Sequence, residues 1–189
     1  MDPKPVLDFW FGGGGSPAAG QARDLWFTKS EATDAEIRER FGAIIDAALR
    51  GDLDHWASSA NGTLALILVL DQFTRNVFRD TPRAFAGDAA ALGYARRLVY
   101  SGADRRFGTL QRWFIYMPFE HSESLVDQYE SVRLFAALAD DGEGAPLEWA
   151  RKHFEVIRRF GRFPHRNAIL GRTSTPEEIE FLRRPGSRF

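Results

Sequence analysis

Apolar residues recur along this chain at helical rather than alternating spacing, in stretches bounded by glycine, proline and capping residues. Asp2 and Pro3 open a first segment with the stripe Val6, Leu7, Trp10 and Phe11, and the glycines at 12–15 stop it as a loop. After the short aromatic element at 24–27, Thr33 and Glu36 are spaced as a capping box. They predict a helix carrying Ile37, Phe41, Ile44, Ile45 and Ala48 on one face, ended by Gly51. Asn61 and Gly62 introduce residues 63–70, which are apolar on every side and run without a breaker into 71–76. A helix with no polar face is buried all round, so this stretch is read as the hub of the domain. A strand is the other reading of such a run, but nothing around it supplies partner strands or hairpin turns. Asp71 and Arg75 continue the face of Leu64, Ile67 and Leu68 and, four apart, can pair within the helix.

Asp88 begins the next helix, through Leu92, Ala95, Leu98 and Val99 to a stop at Gly102. Thr109 caps the segment 110–117, which Pro118 is expected to interrupt. Residues 120–123 then open a helix with Leu125, Tyr129, Val132 and Ala136 on one face and Gly142 past its end. Pro146 starts another, with Trp149, His153, Val156, Ile157 and Phe160 at helical spacing and Gly161 as its stop. Thr175, Pro176 and Glu178 make a second capping box ahead of Ile179, Phe181 and Leu182. The pattern predicts an all-α chain of seven to eight helices in antiparallel pairs, forming one domain over residues 1–189.

Composition narrows the candidate functions. A 44% apolar content with 16 Phe and 5 Trp supports an ordered core and excludes a disordered chain. The N-terminal aromatics Trp10 and Trp26 are either part of that core or a partner surface. With 25 Lys+Arg against 26 Asp+Glu, no global charge draws the chain to nucleic acid or an anionic lipid surface, and neither partner is expected. The paired arginines at 96–97, 105–106, 158–159 and 183–184 read as solvated faces. No cysteine is present, so disulfides and thiolate chemistry are excluded, and a reducing compartment suits the chain. A secretory signal pattern is missing and the longest apolar run is far below the ~20 residues of a membrane span, so the expectation is a cytoplasmic protein. Composition and pattern leave the oligomeric state open.

Candidate chemistry concentrates in three polar segments, at 71–76, 120–128 and 159–172. Every charged side chain between Arg112 and Arg133 is acidic, whereas 156–176 contains no acid and holds Arg158, Arg159, Arg162, His165, Arg166 and Arg172. One reading pairs these segments with one another as purely structural ion pairs. A second makes them a binding site for a small anionic molecule or peptide, with Asp71, Arg75, Asn76, Arg162, Arg166 and Asn167 as ligand-binding residues. A third is a hydrolase-type enzyme with Glu120, His121 and His165 as acid-base residues. No Gly-x-Ser-x-Gly elbow occurs, so water would be its nucleophile. No cofactor motif is present. Metal binding is not expected, because His121 and Glu123 stand two apart and no His-Glu-x-x-His occurs. His153, on an apolar stripe, is read as a hydrogen-bonded core histidine.

The strings Val6-Leu7-Asp8-Phe9-Trp10-Phe11-Gly12, Leu70-Asp71-Gln72-Phe73-Thr74-Arg75-Asn76, Tyr116-Met117-Pro118-Phe119-Glu120-His121-Ser122-Glu123 and Arg159-Phe160-Gly161-Arg162-Phe163-Pro164-His165-Arg166-Asn167, with the tail from Ser174 to Phe189, carry a resemblance. Through them the chain resembles the bacterial domain-of-unknown-function family 924, nearly end to end. The family pattern usually has proline where Thr74 stands, a departure that bears on the local turn after the hub. The resemblance implies a helical fold similar to tetratricopeptide-repeat domains, an α-α superhelix. It assigns no activity and no site residue. Likeness to such folds favours peptide or protein binding by fold analogy alone.

Overall fold

A computed structural model describes residues 1–13, 21–142 and 144–187. Gly14 and Gly15 of the predicted loop and the last two residues of the tail lie outside the described residues. The α-helices are α1 (Lys4–Phe11), α2 (Glu31–Leu49), α3 (Ala60–Ile67), α4 (Thr74–Val77), α5 (Asp88–Tyr100), α6 (Thr109–Glu120), α7 (Leu125–Asp140), α8 (Ala145–Phe160) and α9 (Pro176–Leu182). A π-helical turn, Leu68–Phe73, joins α3 to α4. The three form one rod, so the described residues hold 8 helices and no strand, as the periodicity predicts. Consecutive helices pack as neighbours, α5 on α6, α6 on α7 and α7 on α8, in keeping with a succession of helix pairs.

The rod from Ala60 to Val77 is the hub. Leu64, Ala65, Ile67, Leu68, Val69 and Phe73 are fully buried, each large side chain among them contributing roughly 1.5–3 kcal/mol of apolar burial. Ser59, not Asn61, caps it by accepting from the amide of Gly62. The second helix, α2, contacts both the π turn and α4. Trp10 and Trp26 are core, not a partner surface: they are buried together with Phe73 and Phe114, and the Trp26 indole donates to the Trp10 carbonyl at 2.9 Å.

Three local expectations are corrected. The cap of α2 is Ser30, which accepts from the Thr33 amide, so the helix starts before the Thr33–Glu36 pair. Pro118 does not interrupt α6, which runs on to Glu120, because burying Phe119 and Glu120 outweighs the one bond the proline cannot donate. Glu120 and His121 therefore stand at the end of α6 and not at the start of α7. On α7 the inward residues are Gln128, Ser131, Leu134, Phe135 and Leu138, while Tyr129 is 60% exposed. The face is turned because polar groups at the centre of the molecule take up the polar side chains of α7. Among them, the Gln128 amide donates to the carbonyls of Glu120 (2.6 Å) and Ser122 (2.7 Å), at and just past the end of α6.

One glycine fixes a close approach. An added Cβ on Gly87 would lie 2.2 Å from the Leu70 carbonyl oxygen, so only glycine lets the start of α5 rest on the hub at its π turn. The same carbonyl accepts from the Thr74 hydroxyl at 2.8 Å, and the helix continues through Thr74 without a turn.

Candidate functional site

Asp71 sits in the π turn, a local widening that recurs at functional positions in helices. Its side chain is 1% exposed and ringed by donors. Arg75 approaches one carboxylate oxygen at 3.0 Å, as the i,i+4 spacing predicts, and also donates to the Asp71 carbonyl at 2.6 Å. The Gln72 amide donates to the other oxygen at 2.6 Å, and His121 Nδ1 lies 2.7 Å from the first. Burial alone would raise the Asp71 carboxyl. The Arg75 guanidinium, then His121 and Gln72, hold it well below the ordinary carboxylate range instead. Burial and the same guanidinium push His121 below its ordinary value against the pull of Asp71, so at neutral pH the ring is neutral and Nδ1–H donates to Asp71. Among the described residues nothing hydrogen-bonds its Nε2, and the side chain keeps 11% of its surface.

Asp88, the first residue of α5, joins two arginines. It accepts both terminal nitrogens of Arg75 in fork geometry, at 2.9 and 3.0 Å, and the Arg166 Nη1 at 3.4 Å. Arg166 also donates to the His121 carbonyl at 3.1 Å, but its Nε is buried with no partner. Its guanidinium lies over the rings of Phe85 and Phe163, 4.7 and 4.5 Å from their centroids. Burial and the like charge of Arg75 lower Arg166 to about 10, with Asp88 and Glu123 opposing. Arg75 and Asp88 each keep 21% of their side-chain surface, whereas Arg166 keeps 8%.

Beside this centre, Glu120 and His153 pair at 3.0 Å, and His153 Nδ1 also lies 2.9 Å from the Trp149 carbonyl. The hydrogen-bonded core histidine expected at His153 is thus found. The rings of His121 and His153 are 6.2 Å apart. His165, in the turn Pro164–Arg166, is pushed down to about 3 by burial, Arg166 and His153. No group of three metal-ligating side chains occurs among the described residues.

The structure thus brings together Asp71, Arg75, Glu120, His121, His165 and Arg166 from the candidates read in the sequence. It separates the others. Asn76 faces α2, where its amide and Arg79 bind the Asp34 carboxylate. Arg162 is engaged by Glu178 at 2.6 and 2.8 Å and by the Thr173 carbonyl at 2.9 Å. Asn167 donates to Ser174 and Glu178 at 3.0 and 3.2 Å. Glu178 is also the second member of the Thr175 capping box, so the acid that starts α9 locks down the basic segment before it. Arg172 forms a fork with Glu123 at 2.7 and 3.0 Å, the acid–base complementarity expected between these segments. Asp88 and Phe85 escaped the sequence reading because each looks ordinary: one opens a helix, the other sits in a short turn. Two surface hollows of about 330 and 380 Å³ lie elsewhere, one lined by Asp8, Arg23 and Arg40 and the other by Ser59, Arg106 and Gln111.

Comparison with known proteins adds a family and a fold. A family model described as bacterial protein of unknown function (DUF924) matches residues 6–186. The chain is similar to a solved structure, a protein of unknown function from Agrobacterium tumefaciens. The two are 38% identical over 95% of this chain and 96% of that one, with a TM-score of 0.84. No curated protein matches. No helix among the described residues is long and apolar enough to cross a membrane.

Proposed function

The chain belongs to the DUF924 family of bacterial proteins, and for this member we propose a binding function: recognition of a small anionic molecule or peptide at the junction of Arg75, Asp88, His121 and Arg166. The observation that carries this reading is Arg166, a buried guanidinium with an unpartnered Nε and a distant share of a carboxylate already forked onto Arg75. Buried polar groups are ordinarily satisfied, and a cation left short of acceptors is one that an anion can complete. Asp71 takes no part as an acceptor for ligand. It fixes Arg75 and accepts from His121 Nδ1–H, setting the tautomer of a ring that burial and Arg75 keep neutral and leaving Nε2 to bond a ligand hydroxyl or acid. Arg162 and Asn167, spent on Glu178, hold the Arg166 turn in place.

The test is thermal melting against a panel of small carboxylates, phosphate, sulfate and short acidic peptides at matched ionic strength. At least one should raise the melting temperature of the wild type and leave Arg166→Gln unmoved. Equal shifts in both proteins, or none in either, would remove the site from this role.

A second reading, acid-base catalysis on the bound anion, draws on one observation: the Asp71–His121 pair, in which a carboxylate fixes the tautomer of a neutral imidazole. It uses His121 alone. His165, at about 3, holds no proton to give near neutrality, and Glu120 is turned to His153.

A further inference from the structure

Building on the anion-binding reading, we infer that Asp88 is an internal stand-in for the ligand: its carboxylate occupies, in the free protein, the place that a ligand carboxylate takes between Arg75 and Arg166. The geometry is that of a planar carboxylate site already filled. Two parallel bonds at 2.9 and 3.0 Å join Asp88 to Arg75, the fork a carboxylate makes with a guanidinium. The faces around it are aromatic. Phe85 has the Arg75 guanidinium 5.7 Å and the Arg166 guanidinium 4.7 Å from its ring centre, and the Phe163 ring centre is 4.5 Å from the Arg166 guanidinium.

Asp88 fits this place imperfectly, and the misfit has a backbone cause. Gly87 is pressed on the Leu70 carbonyl, which pins the start of α5 and limits how far the next side chain reaches. It reaches Arg75 well and Arg166 only at 3.4 Å, with Arg166 Nε left over. A carboxylate that is not tethered to α5 is free to turn and take up both guanidiniums. Asp88 can leave, because its side chain keeps 21% of its surface and is on the first turn of its helix. Its departure would free Arg75 and Arg166 together, so the tethered acid sets a threshold: weak anions fail to displace it and a well-matched carboxylate succeeds.

The experiment is chemical rescue. Asp88→Ala is melted in formate, acetate, phosphate and sulfate against chloride at equal ionic strength, alongside the Asp88→Ala/Arg166→Gln double variant. Asp88→Ala should melt below the wild type. Tens of millimolar formate or acetate should restore at least half of the loss, phosphate and sulfate clearly less, and the double variant should show no restoration. Asp88→Asn, which keeps the shape without the charge, is the second variant should Asp88→Ala not fold, with the same expectation. A dipeptide with a free C-terminus and its amide separate the sources. Rescue by the acid at lower concentration than acetate marks a peptide C-terminus as the ligand, and equal rescue marks a small carboxylate. Rescue by no carboxylate beyond chloride would overturn the inference. The anion-binding reading would survive that result if the wild type still bound an anion through Arg166, and would fall with it if not.

Discussion

Replacing His165 with glutamine removes a ring that the folded protein keeps unprotonated. Burial, the Arg166 guanidinium and His153 push its pKa down to about 3, with His121 adding to them and Glu123 opposing. In an unfolded chain the same ring takes its proton near pH 6.5. Between these values the unfolded chain carries a proton that the folded chain does not, so stability rises with pH across this window. The full contribution is present above about pH 6.5 and is lost as pH falls toward 3. One proton is worth about 1.4 kcal/mol per pH unit, or about 2 kcal/mol between pH 6.5 and 5. The ring keeps part of its surface, and solvent screening brings the figure to roughly 1–2 kcal/mol. Urea unfolding of the wild type and His165→Gln from pH 8 to 5 gives the assay. His121, driven in the same direction, titrates in both proteins and largely cancels in the difference. The stability of the wild type relative to the variant should fall by roughly 1–2 kcal/mol toward pH 5. A difference that does not change with pH would refute the placing of a neutral imidazole against Arg166. One that grows toward acid would mean a protonated ring paired with Glu123.

Glu178→Ala should cost about 3 kcal/mol in chemical denaturation, since it strands Arg162 and Asn167 and opens the capping box of α9; a loss under about 0.5 kcal/mol would show the lock to be ornamental. Gly87→Ala and Gly93→Ala, one at the N-cap of α5 and the other inside it, should move in opposite directions. The first drives a methyl into the Leu70 carbonyl and costs about 3 kcal/mol, and the second meets nothing within 4 Å and stabilises by roughly 0.5–1 kcal/mol. Equal effects by thermal melting would contradict the close approach of α5 to the π turn.

Much of this molecule is legible from residue spacing. The unbroken apolar run ahead of Asp71 marks the hub, and the Asp71–Arg75 pair follows from i,i+4 geometry. The Thr175–Glu178 box starts α9 where the pattern places it. The site was legible in its chemistry but not in its membership. Charge complementarity along the chain pointed to contact between the acidic and basic segments. It could not say that Glu178, outside both, would claim Arg162, nor that Asp34, far away in sequence, would claim Asn76. Such choices are made by tertiary distance. The π turn likewise leaves no mark in apolar periodicity when all its neighbours are buried. The inward face of α7 misled for a related reason: polar Gln128 turns toward carbonyls at the end of α6 that only the packed structure supplies, leaving Tyr129 and Leu125 outside.

The central claim is that Arg166 is a buried cation awaiting an anion, and its Nε–H reports on that directly. In ¹H–¹⁵N spectra of Asp88→Ala, where the tethered carboxylate no longer competes, this resonance, assigned by its loss on adding Arg166→Lys, can be followed while formate or acetate is added at constant ionic strength. The account predicts a saturable shift of the Arg166 Nε–H, accompanied by Arg75 and unaltered by equivalent chloride. An Arg166 resonance that stays fixed while the anion saturates elsewhere, or that never responds, would contradict it.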